Sequence, residues 1–327
     1  MAVAREAATM NCQSCNQPTK KSGKDRKGQQ RYKCLSCGRT FIEPRVKMLD
    51  SMILAEGKAL SVLSHLVEGC SVRSTERLTG VHRDTILDLL NVAGRKCEAL
   101  MLKMIRGLKV QDVECDEVWQ FIGMKSRTKT NKQIEDSEVG DCWTFTAIER
   151  HSKLILAWHL GHRGYKDTFA FTEKLAHATE GNFQISTDGF KAYQDAVVYS
   201  LGMHQVDFAQ VIKIYANNPE GETRYSPAKC TGFRKEAIHG NPDMDRAGTS
   251  RIERHNLSVR MENRRFTRLT NGFSKKWANH HAAIALYFAY YNFCRMHKTI
   301  RCTPAMAQGV TKSVWTLKDL LMAATSI

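Results

Sequence analysis

The sequence has no uninterrupted apolar run of about 18 residues, the length a helix needs to cross a bilayer, and residues 1–10 carry no secretory apolar segment. No membrane partner is expected, and a cytoplasmic protein is. Acid is in short supply too: 33 Asp and Glu stand against 49 Lys and Arg, a net charge of +16. The deficit is uneven, since residues 1–58 hold twelve Lys or Arg and five acids. Such an imbalance is the footprint of a polyanionic partner. Proline is scarce, and three of the six (Pro219, Pro227, Pro242) fall in one irregular interval with several glycines, so residues 215–248 read as a long loop or insertion. Cysteine is not scarce, but eleven is an odd number and seven are isolated, which argues against a disulfide framework and fits a reducing compartment.

What is present suffices for two or three domains, because 327 residues at 42% hydrophobic can bury a sizeable core. Cys12-x2-Cys15, eighteen intervening residues and Cys34-x2-Cys37 have the spacing of a four-thiolate zinc ribbon, in which the metal replaces a core. A thioredoxin-like redox pair or coincidence does not explain two such units joined by a basic loop. One structural zinc ion on Cys12, Cys15, Cys34 and Cys37 is expected, in a domain spanning residues 8–45. Whether that domain binds DNA or docks another domain stays open.

Residues 50–98 turn helical. One run ends at Gly69, Ser71 is placed to cap a second, Gly80 makes a turn, and a third carries Ile86, Leu89, Leu90 and Ala93 inward. This reads as a helix-turn-helix domain whose last helix presents His82, Arg83 and Thr85 to a major groove. A small bundle that only links domains is the alternative, and the adjacent basic ribbon favours DNA.

Near Leu108 the period switches to that of a strand. Val113, Cys115, Trp119 and Phe121 fall on one face, and Asp112, Glu114 and Asp116 on the other. Either that acidic face is solvated or it holds a metal. Two more strand-like runs follow as an antiparallel meander, then a helix, then a short strand ending at Asp188-Gly189. Asp188 is either a plain turn residue or a carboxylate reaching the crevice beyond a sheet. One more strand precedes the 215–248 interval.

Residues 250–265, SRIERHNLSVRMENRR, place the carboxylate of Glu253 among cations. At helical spacing Glu253, Asn256, Arg260 and Arg264 share one face, while Ile252, Val259 and Phe266 form an apolar row. Glu253 either closes a capping box with Ser250 or serves as a ligand. A last helical run over residues 277–293 packs by Ala282, Ala283, Leu286, Tyr290 and Phe293. His280, His281 and His297 read as surface or packing residues, and the segment from 299 to 327 reads as a tail.

Taken in order these elements describe an α/β, ribonuclease-H-like catalytic domain over residues 105–298, preceded by the ribbon and the helix-turn-helix. The blocks CDEVWQFIGMKSR, TDGFKAY and SRIERHNLSVR resemble, in order, the three motif blocks of the insertion-sequence-one family of bacterial DDE transposases, whose members also begin with a zinc finger and a helix-turn-helix. The similarity covers nearly the whole chain. It implies that Asp116, Asp188 and Glu253 form the catalytic triad, with Arg260 as the basic residue that accompanies the last acid. The connection from Asp188 to Glu253 is longer than in compact members, and Phe190 stands where Trp is often found.

The chemistry follows from the residue types. Phosphodiester cleavage needs an activated oxygen nucleophile and charge stabilisation on the leaving oxygen, and two divalent ions can supply both. Mg2+, or Mn2+, prefers carboxylate oxygen, so Asp116, Asp188 and Glu253 suffice as ligands. The resemblance implies that Asp116 bridges the two ions. Arg260 and Arg264 are expected to hold the DNA backbone and Asn256 to orient a phosphate or water. The expected partners are double-stranded DNA, as element ends and as target, and further copies of the chain in a synaptic complex, in a cytoplasmic, nucleoid-associated setting. The competing readings are a non-catalytic DNA-binding regulator on the same scaffold, and a ribonuclease or junction resolvase.

Overall fold

The computed structural model describes residues 10–26, 28–42, 48–50, 52–202, 206–216 and 230–325. The chain divides into two compact units, Met1–Lys47 and Met48–Ile327. The first carries an antiparallel sheet of β1 (Thr19–Lys24), β2 (Gln30–Cys34) and β3 (Thr40–Ile42), with Tyr32 stacked on Phe41 at 6.0 Å between ring centroids. Among its described residues only Cys12 and Cys34 are buried. A sheet with so little apolar burial lacks the core that would hold it folded.

The second unit opens with α1 (Glu56–Val67), α2 (Val72–Thr79) and α3 (Arg83–Met104). The expected punctuation is in place: the Ser71 hydroxyl accepts from the Ser74 N–H at 3.0 Å, and Gly80 ends α2 at φ 67°, a left-handed conformation that glycine adopts without strain. There follow β4 (Leu108–Lys109), β5 (Asp112–Ile122), α4 (Ser126–Asn131), β6 (Gly140–Glu149), β7 (Ile155–Gly161), α5 (Tyr165–Ala178) and β8 (Thr179–Glu180). Next come β9 (Phe183–Asp188), α6 (Ala192–Leu201), β10 (Val206–Tyr215), β11 (Cys230–His239), α7 (Ser250–Glu262), a 3-10 turn at Arg264–Phe266, α8 (Trp277–Phe293), α9 (Pro304–Ala307) and α10 (Leu317–Thr325). Among the described residues no helix is long and apolar enough to cross a membrane.

The main sheet is mixed and six-stranded, in the order β11-β10-β9-β5-β6-β7. β5, β6 and β7 form an antiparallel meander, β9 lies parallel to both β5 and β10, and β11 closes the far edge antiparallel to β10. The register aligns Asp116 with Thr146 and Thr146 with Trp158 across the meander. On this face Trp158 meets Phe288 of α8, at 5.9 Å between centroids. On the opposite face Phe145, paired with Glu117, packs against Phe171 of α5 and Tyr193 of α6. Both faces of the sheet are thus covered by helices.

Three expectations about boundaries need correction. Helix α3 does not stop near residue 98, because its apolar row continues through Cys97, Leu100 and Met101, all buried. It packs along α8, so residues 50–98 are not a separate domain but share a core with the sheet. Residues 299–327 are not a tail, since Leu320, Leu321 and Ala324 of α10 are buried in that core and Trp315 stacks on Phe293. The 215–248 interval is not all loop: β11 occupies Cys230–His239, while residues 217–229 lie outside the described residues.

Helix α8 is apolar on every side, with eleven of its 17 residues buried, as a central helix must be. The Asn292 amide is buried with it and pairs with both backbone groups of Ile155, donating to the carbonyl and accepting from the N–H, each at 2.9 Å. The close approach of α3 and α8 depends on Gly94, where an added Cβ would lie 2.5 Å from the Cα of Ala282. Gly94→Ala is therefore expected to destabilise this unit by about 1–3 kcal/mol through overpacking, despite alanine's higher helix propensity; urea denaturation checks this, and an unchanged or raised midpoint counts against it.

Candidate functional site

The acidic face of β5 is neither a solvated face nor uniformly a metal site. Asp112 and Glu114 are buried structural acids. Asp112 pairs with Arg246, 3.2 Å from Nη1 to Oδ1, and its Oδ2 lies 3.1 Å from Nε2 of His151. Glu114 Oε2 accepts from the backbone N–H groups of Arg251 at 2.7 Å and Ile252 at 3.0 Å. These are orphan donors in the first turn of α7, so a carboxylate there meets the positive end of the helix dipole. Burial pushes the Glu114 carboxyl above its ordinary range, and the two N–H donors oppose that shift. The contact fastens α7 to β5 at a fixed height.

Two residues along the strand, Asp116 faces a cleft of about 520 Å3 that Asp188 and Glu253 also line. Asp188 reaches it from the carboxyl end of β9, one residue beyond the last position paired with β5, Cys115↔Thr187, and opposite Val211 of β10. Its Oδ1 accepts from the Phe190 N–H at 3.0 Å, and Gly189 sits where an added Cβ would lie 3.1 Å from Ile212 of β10. Glu253 stands in the first turn of α7. The capping box with Ser250, one of the two readings of Glu253, is not formed, because Thr249 is the N-cap and Glu114 takes the first-turn N–H groups. Glu253 Oε1 instead accepts from the Thr249 hydroxyl at 2.6 Å and pairs with Lys213 Nζ at 2.8 Å.

The tightest acidic cluster includes a residue that strand periodicity assigned to the apolar face. Ligand oxygens of Asp116, Glu117 and Asp188 lie within 4.8 Å of one another. The Glu117 side chain is only 3% exposed, with Arg163 Nε 2.6 Å from Oε1 and the Tyr193 hydroxyl donating to Oε2 at 3.3 Å. An acid in the middle of the row Val113, Cys115, Trp119 was the available signal. Two cations were also missed. Arg163 spans from Glu117 to Asp188, 3.7 Å from Nη2 to Oδ2, with its guanidinium 4.3 Å from the Phe190 ring centroid. Lys213 is the first exposed residue at the end of an otherwise largely buried β10.

Confining these acids has an electrostatic cost. Burial first, then the Asp188 charge and more weakly Glu253, push the Asp116 carboxyl up to about 7, against a hydrogen bond from the Glu117 N–H. Burial, Asp188 and Asp116 push Glu117 up to about 7, against Arg163. A divalent cation would relieve this repulsion, and the donors are all hard carboxylate oxygens of the kind magnesium takes. The residues present therefore fit such an ion: Asp116, Glu117 and Asp188 could hold it, with Glu253 at the cleft wall.

The other expected site residues separate. Asn256 is buried and donates from Nδ2 to Asp116 Oδ2 at 2.7 Å, so it holds a carboxylate in place. Arg260 is half-buried; burial lowers its pKa and Arg268 adds to this, while Asp116 opposes. Arg264 does not continue the Glu253 face, because α7 ends at Glu262 and Arg264 sits in the 3-10 turn, lining a different cleft. At the start of α3, His82 and Arg83 are exposed and Thr85 is half-buried. His255 and His280, inside the core, are both pushed down to about 3 by burial.

In the first unit the sulfurs of Cys12, Cys15, Cys34 and Cys37 lie within 4.8 Å of one another, with Cys12 and Cys37 3.6 Å apart and Cys15 and Cys34 3.5 Å apart. Backbone N–H groups of Cys37 and Ser36 point at the Cys34 sulfur and pull its thiol down to about 6, favouring the thiolate that binds metal. This cluster could hold a zinc ion.

Two expectations follow from these clusters. The purified chain should carry one zinc, with Cys12→Ser or Cys34→Ser leaving none by elemental analysis; retained zinc in both variants would count against the cluster. In the acidic cleft the sign runs the other way from an ordinary ion pair. Folded Asp116 and Glu117 titrate above their unfolded values, so metal-free stability from them falls as pH rises from about 4 to about 7, where ionisation completes the repulsion. Magnesium requires the ionised forms. It should therefore raise the melting temperature more at pH 8 than at pH 6, and Asp116→Asn should abolish that difference; equal shifts at both pH values would contradict the assignment.

No family model matches the chain and no curated protein matches it, so a functional reading rests on this geometry.

Proposed function

We propose that the protein is a DDE-type DNA transposase on a ribonuclease-H-like scaffold, which binds the terminal inverted repeats of its own element, cuts the 3′ ends and joins them to target DNA. The observation that carries this reading is the meeting of Asp116, Asp188 and Glu253, from β5, β9 and α7, at one cleft. The three are 72 and 65 residues apart in sequence (188 − 116 and 253 − 188), and each comes from the motif block that nominated it. The sheet order supports the same scaffold: an antiparallel meander followed by two parallel strands, with the first acid on the central strand and the second at a strand end.

Asp116, Asp188 and Glu253 would hold magnesium or manganese, with Glu117 beside them. When bound, the ions acidify water and offset charge on the leaving oxygen. The chain's own residues do the rest. Asn256 fixes the Asp116 carboxylate. Arg163, Lys191 and Lys213 line the cleft and attract the phosphodiester. His82, Arg83 and Thr85 start a helix placed to read a major groove, and the ribbon with its structural zinc adds further cationic surface. Double-stranded DNA is the partner, and a synaptic complex implies several copies of the chain.

A non-catalytic DNA-binding regulator has one observation in its favour, the occupation of Glu253 Oε1 by Lys213. The deciding assay uses the full protein, magnesium and DNA carrying the inverted repeats that flank its coding region. The parent should nick and join the ends, while Asp116→Asn, Asp188→Asn and Glu253→Gln each lose about two orders of magnitude or more. A parent that binds without cutting is a regulator. Near-normal cutting by Glu253→Gln with loss in Glu117→Gln would move the third carboxylate to Glu117.

A further inference from the structure

A second cleft in the same unit has the opposite sign. It holds about 750 Å3 and is bounded by the α1–α2 turn, the start of α3, residues 263–275 and α8. Arg73, Arg83, Arg264, Arg265 and Lys275 line it, and Asp84, which lies 3.5 Å from His82, is the one acid among its lining residues. Among the described residues none of these five cations pairs with a carboxylate, whereas Arg163, Arg246 and Arg295 elsewhere in the unit all do.

Arg265 is the most telling of the five. Its Nη1 donates to the Ser274 hydroxyl at 2.8 Å, and its Nη2 is shielded from solvent with no partner. Burial pulls its pKa down only to about 10, so the guanidinium stays charged at neutral pH. A buried charge without a counter-ion is costly, and an anion seated in the cleft would supply the missing charge. Arg264 is held at the cleft by close packing, since a Cβ on Gly272 would fall 2.8 Å from the Arg264 carbonyl oxygen. Apolar walls from Leu87, Leu90 and Leu286 lower the local dielectric and strengthen the field on anything seated there.

We propose that this cleft binds backbone phosphates of duplex DNA, continuing from the start of α3 and distinct from the carboxylate cleft. The assignment of duplex DNA as the source of phosphate rests on the transposase reading above. Arg83 ties the two features together, because it belongs both to the expected groove-reading turn and to the cleft wall. The site gathers five cations on one cleft, and a lone small anion would leave most of them unneutralised.

The test uses the full, zinc-loaded protein with no added magnesium and a short labelled duplex, with binding read by fluorescence anisotropy across a range of salt. Arg73 and Lys275 are exposed, so their truncation leaves the fold intact. The Arg73→Ala/Lys275→Ala variant should flatten the slope of log affinity against log salt by about 2, near 0.9 for each phosphate no longer neutralised. An unchanged slope and affinity would overturn the proposal. Arg265→Met should melt at or above the parent's temperature without DNA and show a smaller DNA-induced rise; a lower melting temperature with the full rise would make Arg265 merely structural. A mononucleotide that raises the parent's melting temperature as much as duplex at equal phosphate concentration would mark a small-anion site and sink the DNA assignment. Binding is read without cleavage, so a chain that shows the flatter slope in the variant yet never nicks DNA keeps this cleft and discards only the transposase reading.

Discussion

The contact between the Glu114 carboxylate and the first turn of α7 is the constraint on which the site depends. Two charge-assisted hydrogen bonds, from Arg251 and Ile252, offset the desolvation of a carboxylate that is only 2% exposed. They set the height and rotation of α7 against the central strand. Asp116 lies two residues further along that strand, while Glu253 stands in the same first turn of that helix and Asn256 in the next. Their meeting at one cleft follows from that single anchorage, reinforced by the Asp112–Arg246 pair just before α7.

The cleft that results is under electrostatic tension. Asp116, Glu117 and Asp188 repel one another in a partly desolvated space, and Arg163 and Lys213 neutralise only part of that charge. Elsewhere in the same unit, between the helical segment and the stretch after α7, five cations share a cleft with one acid, Asp84. Incompletely neutralised charge of each sign, each in its own concavity, is what the two proposed ligands, a divalent cation and a polyanion, would complement.

The helical segment also has a mechanical role. Through α3, whose last turns pack on α8, the turn bearing His82 and Arg83 is built into the core that carries the sheet. The Gly94 approach to Ala282 and the Asn292 amide, bonded to the backbone of β7, make α8 the bridge between them.

Much of this was legible along the chain. The Cys-x2-Cys pairs, the Ser71 cap, the Gly80 turn, the meander and the strand ending at Asp188 each depend on spacing or on a residue's own backbone preference, which a linear pattern records. The placement of Asn256, Arg264, Glu117 and Lys213 was not. A period of two assigned Glu117 to an apolar row but gave no hint that Arg163 and Tyr193 would accept its charge there, and a period of 3.6 carried the Glu253 face past the residue where α7 ends. The sequence by itself determined which residues alternate, cap, turn and pair their thiols, because those properties are local. Only the tertiary structure decided which acids meet a cleft and which are buried as helix anchors, because that depends on what covers each face of the sheet, and α7 and α8, which cover the Asp116 face, are remote from β5 in sequence.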